Sequence, residues 1–134
     1  MIHDKGISMK KELDLRRLSE SWIKMHLVEE DSPDYEENFW AYSELSDLCY
    51  DEPEVCFAAI EAIRSLDNSD IILSNLAAGP LENLLAQHGE LFIGRIEEIA
   101  DQDPKIRKLL GAVWKNSISD SIWNRIQKIA DKSW

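Results

Sequence analysis

No stretch of this 134-residue chain approaches the roughly 18 to 20 consecutive apolar residues that a membrane span needs, so no spanning helix is expected. The opening MIHDKGISMKKELDL carries charges but neither an apolar core nor a small-residue cleavage site, so no secretory signal is expected there. Only two cysteines occur, Cys49 and Cys56. Their spacing is neither CxxC nor a dense disulfide framework, and it predicts free, buried thiols in a reducing cytoplasm. The three histidines, His3, His26 and His88, are far apart, and there is no HExxH or ExxH pair. No metal site and no cofactor is expected. The glycine-rich phosphate loops and the GxSxG nucleophile turn are missing too.

The most informative absence is of one charge sign. From Met25 to Ile63 there is no Lys or Arg, while twelve Asp and Glu stand in those 39 residues. Before this window four acids face six bases, and after it ten face nine. The whole formal net charge of −11, and one unit more, therefore resides in the window. DNA and RNA are poor partners for such a surface, because their affinity comes from Lys and Arg neutralising phosphates. Anionic membranes are disfavoured for the same reason. Like charges so close repel and destabilise the fold unless something offsets them. A sustained one-sign field does steer a basic protein partner; the bland alternative is a solvated face kept for solubility.

What is present is helix. Hydrophobic residues make up 44% of the chain and charged residues 31%, a globular composition of one domain over residues 1–134, with residues 1–6 expected to be disordered. Apolar residues recur at helical spacing. Leu15, Leu18, Trp22 and Met25 form one stripe, Ala41, Leu45, Leu48 and Cys49 a second, and Cys56, Ala59, Ile60 and Ile63 a third. Similar stripes run through Leu81–Leu85, Phe92–Ala100, Ile106–Trp114 and Ile122–Ile129. Ile71-Ile72-Leu73 fits a short helix. Asp51 before Pro53, Asp103 before Pro104, and Ser117 with Asp120 read as helix starts. Gly79-Pro80 is expected to end one helix and begin another, and His88-Gly89 to end that one. The fold expected is all-α: seven or eight short antiparallel helices in a compact HEAT-like array or an irregular bundle. A faint echo supports the array: in Leu48–Val55 and Ile99–Ile106 a helix ends, an acidic turn follows, and Pro starts the next helix.

The succession Leu76-Ala77-Ala78-Gly79-Pro80-Leu81-Glu82, His88-Gly89, Ile96-Glu97-Glu98-Ile99-Ala100 and Asp103-Pro104-Lys105-Ile106-Arg107, with Trp114 and Trp123 downstream, resembles an uncharacterised bacterial domain family. The resemblance covers about Phe39 to Trp123 and implies a bacterial, cytoplasmic, helical protein with no assigned activity.

Aromatic residues are interspersed with the acids: Tyr35, Phe39, Trp40, Tyr42, Tyr50 and Phe57. Phe39 and Trp40 are neighbours, so a helix cannot point both into one core. Glu37, Trp40, Glu44, Asp47 and Asp51 step by three or four and share one side of a helix. Together with Glu36 and Glu54 they are the expected partner-binding surface. His88 and Glu82 are six apart and do not share a helical face, so His88 is read as a cap at its own helix's C-terminus. Asp101-Gln102-Asp103 is too short for a calcium loop. Arg107 is expected to pair with an acid across helices. No spacing singles out catalytic residues. The leading expectation is a non-catalytic inhibitor of immunity or antitoxin type, its acidic face covering the cleft of a basic toxin such as a nuclease. The alternatives are a helical adaptor that takes a partner peptide or helix, and an enzyme whose site assembles only in the fold.

Overall fold

Pro33, Pro53 and Pro104 each stand in the first turn of a helix, where the missing N–H would have had no partner anyway. The computed structural model describes residues 14–134 in full and, of residues 2–13, only that they belong to the first helix; the expectation for residues 1–6 falls outside the fully described residues. The chain is all-α, with no strand among the described residues. Its helices are α1 (Ile2–Leu27), α2 (Pro33–Asp51), α3 (Pro53–Leu66), α4 (Asp70–Leu76), α5 (Glu82–Gln102), α6 (Pro104–Gly111) and α7 (Asp120–Ile129). A π-helical turn, Ala77–Leu81, joins α4 to α5 without a break. The described chain therefore has six helical stretches, where seven or eight helices were expected.

That difference has a physical cause. Pro80 has no N–H for the helix ladder, and its ring crowds the carbonyl one turn back. A widened turn accommodates both faults, and the Glu82 N–H bonds Ala77 O five residues earlier. Gly79-Pro80 thus bulges a helix instead of ending one. At His88-Gly89 the expected helix end is a kink, where two helical segments meet within α5. His88 departs from helical geometry (φ −136°, ψ 27°), and α5 bends there. A side chain at Gly89 would lie 3.1 Å from Ile122 Cγ1, so the missing Cβ lets α7 close on the bend.

Two starts shift by a residue or two. Asp51 is the last residue of α2 and Glu52 occupies the cap of α3, with no side-chain cap bond. Ser119, not Ser117 or Asp120, caps α7, its hydroxyl accepting from Ile122 N. Asp103 caps α6 as expected, accepting from Lys105 N at 2.9 Å. Ser32 caps α2, accepting from Tyr35 N at 3.2 Å.

The predicted stripes form one continuous core, with Trp22 and Phe92 its largest fully buried side chains. Trp114 departs from its stripe and is 71% exposed, because α6 stops at Gly111. α1 lies against α2 and α3, α5 runs beneath α2 and α3, and α7 closes over α5 and α6. In a solenoid each unit touches its sequence neighbours only. Here α2 of the first helix pair also packs on α5 of the third, so of the two expected arrangements the contacts are those of an irregular bundle. The sequence echo survives as local geometry. Glu52 and Asp103 are single-residue corners of similar extended conformation, each N–H held by the carbonyl four residues back.

Candidate functional site

Helix α2 buries one narrow edge, Ala41, Leu45 and Cys49, spaced one turn apart. Two further sets of its residues separate by type. On one flank stand Glu36, Glu37, Trp40, Glu44, Asp47 and Asp51, all exposed. On the other stand Tyr35, Phe39 and Tyr42, again at helical spacing. Phe39 and Trp40 are 40% and 36% exposed and lie on opposite flanks, as two adjacent helical positions must when neither enters the core. Both flanks thus project outward from one rigid helix anchored against α1, α3 and α5.

The acidic flank borders a groove of about 380 Å³ between α1, α2 and the start of α3. Asp14, Glu44 and Glu52 line it, together with Trp40, Leu48, Val55 and one base, Arg17. The Arg17 guanidinium lies 4.9 Å from the centre of the Trp40 ring. Trp40 therefore carries an internal cation on one face and is not a bare anchor. Glu54, in the first turn of α3, gives both carboxylate oxygens to Arg95 Nη1, at 2.8 and 2.9 Å. Of the window's twelve acids, Glu54, Glu61 and Asp34 have ion-pair partners, and Glu52 has an interaction of its own. The other eight form no ion pair with a described residue, and Glu36, Glu37, Glu44, Asp47 and Asp51 are among them. The structure thus gathers six of the seven expected contact residues on one exposed flank and places Glu54 beside it, already engaged.

The aromatic flank borders a second cleft, of about 440 Å³, closed by the end of α1, the following turn and α4. Tyr35, Phe39, Tyr42, His26, Glu30 and Asn75 line it with Met25 and Val28. The rings form a row: Tyr35 to Phe39 5.7 Å, Phe39 to Tyr42 5.4 Å, Tyr42 to His26 6.4 Å, and His26 to the buried Trp22 4.0 Å. Burial pulls the His26 pKa below its ordinary value, against the weaker opposing effect of the bond its Nδ1 donates to Trp22 O at 2.9 Å. The imidazole is thus held neutral at pH 7. The aromatic residues themselves are evident from sequence; their meeting with His26 and Asn75 carries no sequence signal, because it is set by how α1 and α4 close on α2.

Other expected groups stay apart. Glu82, nearly buried, accepts a bond from the Asn116 side chain and so holds the turn where Asn116 adopts a positive φ of 34°. His88 Nε2 instead donates to Tyr50 O at 3.3 Å. The helix C-terminus that His88 caps is thus that of α2. Arg107 forms no ion pair with an acid among the described residues; its Nε donates to Ala100 O at 2.8 Å. Lys108 and Lys115 bind Asp70 and Asp120 separately. Among the described residues no group of three or more His, Cys, Asp or Glu is placed to hold a metal ion, and no helix is long and apolar enough to cross a membrane.

A family model described as a family of unknown function (DUF6869) matches residues 28–134. No curated protein and no solved structure matches the chain.

Proposed function

The chain belongs to this family of unknown function, and we propose that it is a non-catalytic protein-binding domain that docks a basic partner on the acidic flank of α2. The partner class we favour is a toxic basic enzyme such as a nuclease, neutralised in the cytoplasm by occlusion of its polyanion-binding cleft. One observation carries this reading. Five carboxylates, Glu36, Glu37, Glu44, Asp47 and Asp51, stand exposed on one helix and form no ion pair with a described residue. Mutual repulsion costs folding free energy that an isolated domain has no need to spend. A basic partner converts that repulsion into attraction and gains association rate from the field.

A lysate pull-down at low and high salt tests the reading, with the wild type beside a Glu37→Lys/Glu44→Lys/Asp51→Lys variant of unchanged helical circular dichroism. One basic protein should be retained by the wild type, released by salt, and lost by the variant. Capture of nothing, or of the same protein by both, would reduce the flank to a solvated surface. The aromatic cleft supports a second reading, an adaptor that takes a partner peptide; such a partner would be released by aromatic substitutions and would resist salt.

A further inference from the structure

We infer that the cleft on the aromatic flank of α2 receives an arginine side chain of the basic partner. This deepens the docking proposal above and rests on it. Three properties of the cleft select the occupant. First, the rings of Tyr35, Phe39 and Tyr42 lie in a row on one wall, 5.7 and 5.4 Å apart, and do not close into a box. An open row of rings, tilted 49° and 30° to their neighbours, offers single exposed ring faces that suit a planar guanidinium, which stacks, better than a compact ammonium, which needs enclosure. Second, the cleft is lined by acceptors and, among the described residues, by no Lys or Arg. Glu30 lines it and forms no ion pair with a described residue. Asn75 donates its amide N–H to Ile71 O at 2.8 Å, which leaves its side-chain oxygen as an acceptor. A guanidinium fork reaches a carboxylate and a second acceptor at once, where an ammonium acts as a point charge. Third, the neighbouring imidazole does not repel a cation. His26 is half-buried, its Nδ1 is spent on Trp22 O, and its ring centre lies 6.4 Å from that of Tyr42.

The size also fits. A volume of about 440 Å³ admits one long side chain and its nearest backbone, not a folded element. The exposure of Phe39 and Tyr42, 40% and 46%, leaves apolar ring surface for a stacked group to cover. The acids of the turn before α2, Glu29 and Asp31, extend the negative field to the cleft mouth. The two flanks of α2 therefore divide the labour of recognition: the acidic one attracts any basic surface, and the aromatic one distinguishes arginine from lysine.

Two peptides of equal length and charge, one alternating Arg with Gly and the other Lys with Gly, provide the test against the whole chain by NMR titration. Matching the charge cancels the general field. The arginine peptide should bind about two- to fivefold tighter, the range of an exposed cation–π contact. Ring resonances of Tyr35, Phe39 and Tyr42 should move with it and not with the lysine peptide, a readout that needs no variant. Phe39→Ala/Tyr42→Ala should erase the preference, while Glu37→Lys/Glu44→Lys/Asp51→Lys weakens both peptides alike. Equal affinities, or a preference that survives loss of the two rings, would overturn the arginine cleft and leave the acidic face standing. Binding of neither peptide would overturn both. A ring-dependent arginine preference untouched by the triple charge reversal would keep the cleft and sink the acidic face.

Discussion

The guanidinium of Arg17 lies over the ring of Trp40, 4.9 Å from its centre, and so places a positive group against the carboxylate-rich flank. The contact ties α1 to α2 at the rim of the groove. It also covers the largest aromatic face on the acidic side. Replacing Arg17 by Ala should cost about 0.5–1 kcal/mol, the usual worth of an exposed cation–π contact. Urea denaturation followed by circular dichroism measures that loss. Arg17→Lys should recover only part of it, because an ammonium does not stack. A full recovery by Lys would show that charge alone, not stacking, holds the pair.

Gly111 is required for a different reason. A Cβ there would fall 1.7 Å from the backbone oxygen of Asp131 and 2.8 Å from its carbonyl carbon. The last residues of the chain pass this close because they cap α6. Asp131 N donates to Arg107 O at 2.9 Å, and Trp134 Nε1 donates to Lys108 O at 2.8 Å, satisfying two carbonyls of the helix's last turns. Gly111→Ala should expel this tail and lower stability by about 1–3 kcal/mol, the range for overpacking. In a chain ending at Ala130 the same substitution should cost almost nothing, since the clashing group is gone. An equal cost in both backgrounds would place the fault in the helix itself.

The helical class and most of the core stripes were legible in the sequence, because period 3.6 leaves a plain trace in the placement of Leu, Ile and Trp. The corners at Glu52 and Asp103 were legible for the same kind of local reason, proline chemistry. The joint at Pro80 was not. Gly-Pro is written alike whether a helix stops or widens by one residue, and only the packing of α5 beneath α2 and α3 decides which occurs. The acidic flank could be read in full, since it lies on a single helix. The aromatic cleft could be read only by half: Tyr35, Phe39 and Tyr42 share α2, but His26 and Asn75 arrive from α1 and α4. Arg17 over Trp40 and Arg95 on Glu54 are likewise contacts between helices, which no spacing along the chain announces.

Arg64 links α3 to the corner between α5 and α6. Its side chain is only 10% exposed, and it bonds Glu61 through Nε and Nη2 and Asp103 through Nη1, at 2.8–2.9 Å. The hydrogen bond from Arg64 holds the Asp103 carboxyl below its ordinary pKa, with help from Lys105 N–H. A carboxyl whose folded pKa is depressed adds stability above its unfolded value, about 3.9, and loses it as pH falls through the folded value. Stability should therefore decline below about pH 4 more steeply in the wild type than in Asp103→Asn, which keeps the α6 cap but not the charge. Urea midpoints at pH 6 and pH 3 measure the difference. Glu97, lowered by its bond from Arg125, contributes in the same direction, but the pair is exposed and salt should weaken it. Parallel curves for wild type and Asp103→Asn would remove Asp103 from the account.

Cys49 and Cys56 face each other across the α2–α3 corner, their sulfurs 2.7 Å apart and both fully buried, with Cys49 Sγ 3.5 Å from Pro80 O. The hydrogen bond with Cys49, and then burial, push the Cys56 thiol far above its ordinary pKa. Thiolate is the reactive species, so the native pair should be nearly inert to a disulfide reagent at pH 8, and two thiols per chain should react at once in urea. Because Cys49 lies on the buried edge of α2, directly behind the two exposed flanks, its labelling rate reports how often that helix lifts from the core. A ligand that binds only the closed form must slow the labelling by the factor (1 + [L]/Kd). The alternating Arg-Gly peptide, which should occupy both flanks of α2, is expected to protect the thiols in proportion to its concentration. Labelling that is fast in the native chain would show that the corner opens freely, and labelling unaffected by bound peptide would place the binding surface away from α2.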